Sequence, residues 1–220
     1  MELDQIEVNL RNPDYQYRLK AIAALKDYSA EVAVPILRNH VHDSEFLVRS
    51  FVAMGLGKQP TADSFAALIE MVKFDDTPNV RAEAANSLSL FGKIAAPQLV
   101  KVFFQDDHWI VRRTILAALV ELECANELFD VCVQAIQDED TTVQESGVDA
   151  LGCLANTNVH LSVLSQLLGL VGHESWRMRQ RTVYALKRFQ DYQAKEALRL
   201  MRQDEDYRVV GAVLEDLLPK

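Results

Sequence analysis

The stretch GHESWRMRQR (172–181) sets Trp176 beside Arg177 and Arg179. An indole face stacks on flat conjugated groups, and a guanidinium offers a planar fork of donors that matches a carboxylate. The three side chains together predict a clamp for a flat ligand bearing carboxylates. Arg181, Tyr184 and Arg188 continue this basic and aromatic character at helical spacing. Residues 177–202 carry eight Lys and Arg against Asp191 and Glu196, in a chain whose net charge is −9. A basic end on an acidic protein is expected to recruit an anionic partner locally while the whole molecule repels polyanions. The overall charge argues against general nucleic-acid binding.

Groups that could do catalysis are scarce. His173-Glu174 is a single His-Glu pair, and His40 and His42 have no Cys or further His nearby, so no metal site is expected. The chain contains no phosphate-cradling glycine loop, no GxSxG and no CxxC. The cysteines (Cys124, Cys132, Cys153) fit free thiols in small apolar packing. No catalytic residue can be named.

The elements that position these groups are written as a repeat. DDTPNVRAEAANSL (75–88) and DDHWIVRRTILAAL (106–119) share one wording, and aligning the chain on the Val-Arg step places anchors at Arg18, Arg49, Arg81, Arg112, Gln144, Arg179 and Val210. Spacings of 31, 32, 31, 32, 35 and 31 residues signal stacked repeats. One position before the anchor stands an apolar residue, from Tyr17 through Val48, Val80, Val111, Val143 and Met178 to Val209. Seven positions after it comes Leu in every unit (Leu25, Leu56, Leu88, Leu119, Leu151, Leu186, Leu217), preceded by a small residue in all but the last, where Asp216 stands. Offsets −1, +3, +4 and +7 lie on one face of a helix, which predicts a helix that packs against other helices.

Ahead of each such helix runs a second amphipathic segment, as in 32–41, 64–74, 96–104, 127–137, 160–171 and 194–203. Pro35 and Pro97 are expected near the starts of two of them, where a missing N–H costs little. Asp43, Asp75, Asp106, Asp138 and Asp204 fall between the paired helices, placed to cap the next helix or to meet an anchor Arg of their own or the adjacent unit. An all-α, HEAT-like α-solenoid of six to seven helix pairs follows, read as a single domain over 1–220.

An early Pro, then Asp, then Val-Arg and Ala-Leu on a second helix resembles the HEAT repeat. The short period, with VAVPIL and DDxxxVRxxAAxSL wording over about residues 12–218, is similar to the phycobilisome-lyase HEAT-like subfamily. That subfamily includes the E/F-type phycobilin lyases of cyanobacteria and the phycobilisome-degradation proteins. The resemblance implies a scaffold whose partner is a phycobiliprotein subunit, no resident cofactor, and phycocyanobilin as a transient ligand, with bilin attachment, bilin detachment or phycobilisome turnover as the outcome. Whether the chain is itself an enzyme stays open. The alternatives are an adaptor unrelated to bilins and, against the chain's acidity, a HEAT-like DNA glycosylase.

In such stacks the second helix lines the binding surface, and offsets +1, +5 and +9 should point outward, with +2 at the edge. The map then reads Phe51, Met54 and Lys58; Glu83, Asn86 and Leu90; Thr114, Ala117 and Glu121; Ser146, Asp149 and Cys153; Arg181, Tyr184 and Arg188. It predicts a groove that is apolar at its start, acidic in the middle, and basic with an aromatic at its end. No apolar run approaches a membrane span, and MELDQIEVNL lacks the features of a secretory signal, so a cytoplasmic location is expected.

Overall fold

The structure, a computed structural model, describes residues 1–215; Asp216 and Leu217 of the last repeat lie outside the described residues. Fourteen α-helices and no strand occur among the described residues. They divide into two compact units, Met1–Leu122 and Glu123–Lys220.

The first unit holds four helix pairs: α1 (Leu3–Leu10) with α2 (Tyr15–Ala24), α3 (Ala30–Arg38) with α4 (Phe46–Gly57), α5 (Ala62–Phe74) with α6 (Pro78–Ser89), and α7 (Ala96–Gln105) with α8 (Trp109–Leu122). The second unit holds α9 (Ala125–Ala135) with α10 (Thr141–Cys153), α11 (His160–Gly169) with α12 (Trp176–Leu186), and α13 (Tyr192–Met201) with α14 (Tyr207–Leu214). Each unit is thus built from HEAT-like solenoid repeats. Within a unit each second helix packs on the second helix of the next pair.

The pattern that predicted these helices also fills their core. Val48, Val80, Val111, Val143 and Val209 are fully buried, as are Leu56, Leu88, Leu119, Leu151 and Leu186. Tyr17 of the terminal repeat is the exception and stands exposed. Small residues set the spacing between neighbouring second helices: a Cβ on Gly57 would lie 2.8 Å from the Ser87 Cβ, a distance that side-chain carbons do not adopt. Pro97 occupies a first-turn position as expected, and Pro78 does so at the start of α6. Pro35 does not. It sits inside α3, where it deletes a helical hydrogen bond.

The recurrent Asp works one step earlier than a helix cap. Its Oδ1 accepts the N–H two residues on, from Glu45, Thr77, Asp140 and Asp206 at the cap positions of α4, α6, α10 and α14. The carboxylate thereby fixes the turn that leads into these second helices, and at Asp43, Asp75 and Asp204 it also accepts from an anchor Arg.

Candidate functional site

The anchor arginines are spent on the fold. Arg49 reaches forward one repeat to Asp75 through Nε (2.6 Å) and Nη2 (3.0 Å), while its Nη1 donates to the Asp43 carbonyl of its own loop (2.8 Å). Arg18 with Asp43 and Arg81 with Asp106 repeat the arrangement. Each guanidinium is a bracket that ties the loop of one repeat to the loop of the next, with all its forks in use. Its charge is stabilised there: the hydrogen bond that Arg49 donates to Asp75, against the opposing effect of burial, raises the Arg49 pKa above its ordinary value.

Arg179 belongs to this series, which corrects its expected place in a ligand clamp. It is buried, its Nε and Nη2 donate to Asp204, and Nη1 donates to the His173 and Glu174 carbonyls. Trp176 is also committed to packing: the Arg208 guanidinium lies 3.3 Å over its ring centre, itself held by Asp206, and Arg177 stands at 4.8 Å. A flat ligand would have to displace Arg208 from that face. Trp176, Arg177 and Arg179 therefore do not converge on a common ligand.

The basic end is corrected on the same grounds. Arg181 donates to Asp149 (2.5 Å) and to Glu145 (3.0 Å), Arg177 lies 4.0 Å from Glu145, and Arg188 contacts the Cys153 sulfur at 3.5 Å. The carboxylates come from α10 and the arginines from α12, so counting charge along residues 177–202 missed the partners. Tyr184 remains exposed on that helix.

In the first unit the predicted surface residues fall in two groups, one on α4 and one between α6 and α8. Phe51 and Met54 lie one turn apart on α4, each 36% exposed, while Val48, Val52, Ala53 and Leu56 on the opposite side of that helix are fully buried. Between α6 and α8 run two adjoining clefts of about 230 and 370 Å³, which share Asn86, Ile110 and Thr114. Glu121 lines the smaller and Glu83 the larger. Burial pushes the Glu83 carboxyl above the ordinary range, with Asn86, Ser87 and Lys58 opposing the shift. Arg113 lines the smaller cleft and Lys58 neighbours Glu83, so this middle is mixed in charge, not simply acidic. The +1 offset is mixed: Ala82 is buried and Glu145 is largely covered, whereas Arg113 is exposed as expected.

Sequence reading missed a larger cleft of about 790 Å³ between the ends of α5 and α7, lined by Lys73, Phe74, Asp76, Lys101 and Asp107. Its signal is the repeated DD at the loop, whose second acids, Asp76 and Asp107, line it. Among the described residues no group of three or more His, Cys, Asp and Glu is placed to hold a metal ion, and no helix is long and apolar enough to cross a membrane.

The profile of HEAT repeats matches residues 4–89, 41–119 and 129–218. Comparison with curated proteins finds no match. Among solved structures, Escherichia coli YibA superposes with a TM-score of 0.67 at 17% identity, covering 100% of this chain and 84% of that one. The complex of CpcE and CpcF of phycocyanin lyase from Nostoc sp. PCC7120 gives 0.55 at 19%, covering 99% and 95%. A designed armadillo repeat protein in complex with the peptide (KR)4 gives 0.50 at 17%, covering 99% and 98%. At these identities the likeness is one of fold.

Proposed function

The chain belongs to the HEAT-repeat family, and from that premise we propose that it is a cytoplasmic scaffold that binds a protein partner, a phycobiliprotein subunit, on the second-helix surface of its first unit. The observation that carries the reading is the exposure of Phe51 and Met54 on a helix whose other face is fully buried. Exposed single hydrophobes are ordinary, but two large ones a turn apart give apolar anchors, and the same unit carries clefts lined by the polar Glu83, Asn86 and Glu121. The anchor arginines Arg18, Arg49, Arg81 and Arg179 are engaged by the fold and do not offer an anion site.

The identity of the partner is supported by the repeat wording of the sequence and by the likeness in fold to the CpcE and CpcF complex. Phycocyanobilin enters as a group carried by the partner, with the scaffold holding the protein around it. Mixing the purified chain with phycocyanin and following both size and visible absorption tests this. A complex with unchanged absorption supports a scaffold. Multiple-turnover release or attachment of bilin makes the protein an enzyme, and failure to form a complex with either the chromophore-bearing or the chromophore-free subunit removes the phycobiliprotein as partner.

A further inference from the structure

The second unit contains two junctions between successive second helices, and they are fastened differently. Between α12 and α14 the buried bracket is intact: Arg179 and Asp204 side chains are 7% and 8% exposed. Between α10 and α12 both ends of the bracket are replaced. Gln144 stands where the Arg would be and donates only to its own loop, to the Asp138 carbonyl at 2.6 Å. His173 stands where the Asp would be, and its Nδ1 accepts the Ser175 N–H at 3.1 Å as the Asp does elsewhere. The turn is preserved and the ionic tie across the repeats is gone. This is also the junction with the 35-residue spacing.

Beside the buried apolar faces of both helices (Val143, Val148, Met178, Val183), two features take the place of the bracket. Near their C-terminal ends Gly152 packs against Ala185 so closely that a Cβ on the glycine would sit 3.1 Å from the Ala185 Cα. Earlier along each helix, from Glu145 to Asp149 on α10 and from Arg177 to Arg181 on α12, the fastening is a set of ion pairs in which Arg181 is 41%, Asp149 49% and Glu145 20% exposed. Exposed pairs are weak and are screened by salt, whereas the buried bracket is screened far less.

We propose that the α10–α12 junction is a salt-sensitive hinge: it pivots on the Gly152–Ala185 contact and is latched by Arg177 and Arg181 on Glu145 and Asp149. Weakening the latch splays the N-terminal ends of α10 and α12, where no bracket resists, and leaves the α12–α14 junction shut. The hinge concerns the second unit and stands whether or not the partner is a phycobiliprotein.

Hydrogen exchange of the full chain, read by peptide, tests this as salt rises from about 0.01 M to about 1 M and the screening length falls from about 30 Å to about 3 Å. Exchange in the first half of α12 should quicken by about twofold to fivefold, the range that loss of exposed pairs allows, while α14 stays constant. Arg181→Gln should quicken α12 at low salt and abolish the salt response, with circular dichroism confirming an intact helical fold; Arg177→Gln should do the same to a smaller extent. Arg179→Gln should loosen α14 equally at both salt levels. A salt response of equal size in α12 and α14, none in α12, or a wild-type response retained in Arg181→Gln would overturn the hinge.

Discussion

Arg179 and Asp204 meet through two parallel bonds, Nε to Oδ2 at 2.8 Å and Nη2 to Oδ1 at 2.9 Å, across one repeat period of the second unit. The pair is buried, and its remaining donor closes on the His173 carbonyl. Asp204→Asn should therefore cost up to about 3–5 kcal/mol, because it leaves the buried guanidinium only the exposed Glu205 as counter-ion. Arg181→Gln removes an exposed cation and should cost under about 1 kcal/mol. Denaturant titration of the two variants checks the contrast, and equal losses would mean that the bracket is not the structural tie.

The brackets also predict how the protein responds to acid. The Arg179 guanidinium holds the Asp204 carboxyl below its ordinary range. Burial pushes Asp43 upward, but the bonds from Arg18 and from the Glu45 N–H outweigh it and the net shift is downward. A carboxyl whose pKa is depressed on folding contributes stability that is fully present above its unfolded value and is lost as pH falls through the folded value. Stability should thus decline below about pH 4, and the decline should be shallower in Asp204→Asn. Identical acid slopes in the wild type and the variant would rule out a contribution from Asp204.

His160 predicts a second, opposite dependence. One ring nitrogen faces the Ala155 carbonyl and the other lies 2.9 Å from an Asp191 oxygen, so both must carry hydrogen for both bonds to form. The bond to Ala155 first, and then Asp191, raise the His160 pKa above its ordinary value. A histidine with a raised pKa contributes stability that is present below the unfolded value near 6.5 and is lost as pH rises through the folded value. Proton NMR titration should show His160 titrating above the ordinary histidine value and moving back toward it in Asp191→Asn. An unchanged midpoint in that variant would remove Asp191 as a cause.

These groups were not equally legible in the sequence. The second helices were, because every repeat must show its neighbours the same face, and the Val-Arg-Leu wording recurs for that reason. The terminal helix α1 was not: only Ile6, Leu10 and Asn9 are buried on it, and the stretch read as an acidic N-terminus. The ladder of Asp and Arg was visible, but its direction was not, since an Arg could meet the acid of its own repeat or of the next. The structure gives the carboxylate of the next repeat and the carbonyl of its own. Arg181 was misjudged because its partners Asp149 and Glu145 lie 32 and 36 residues away, about one repeat period and beyond any local charge count.

The most direct test of the account compares two apolar positions for their effect on phycocyanin binding. Phe51 stands on the second-helix surface of the first unit, and Phe74 stands 76% exposed at the end of α5, a first helix. If the second-helix surface is the binding site, Phe51→Ala combined with Met54→Ala should weaken the affinity measured by calorimetry by about tenfold or more, since central anchors cost roughly 2 kcal/mol when truncated. Phe74→Ala should leave it within about twofold, as expected away from an interface. Loss of binding in Phe74→Ala with full affinity in the Phe51 and Met54 double variant would contradict the account.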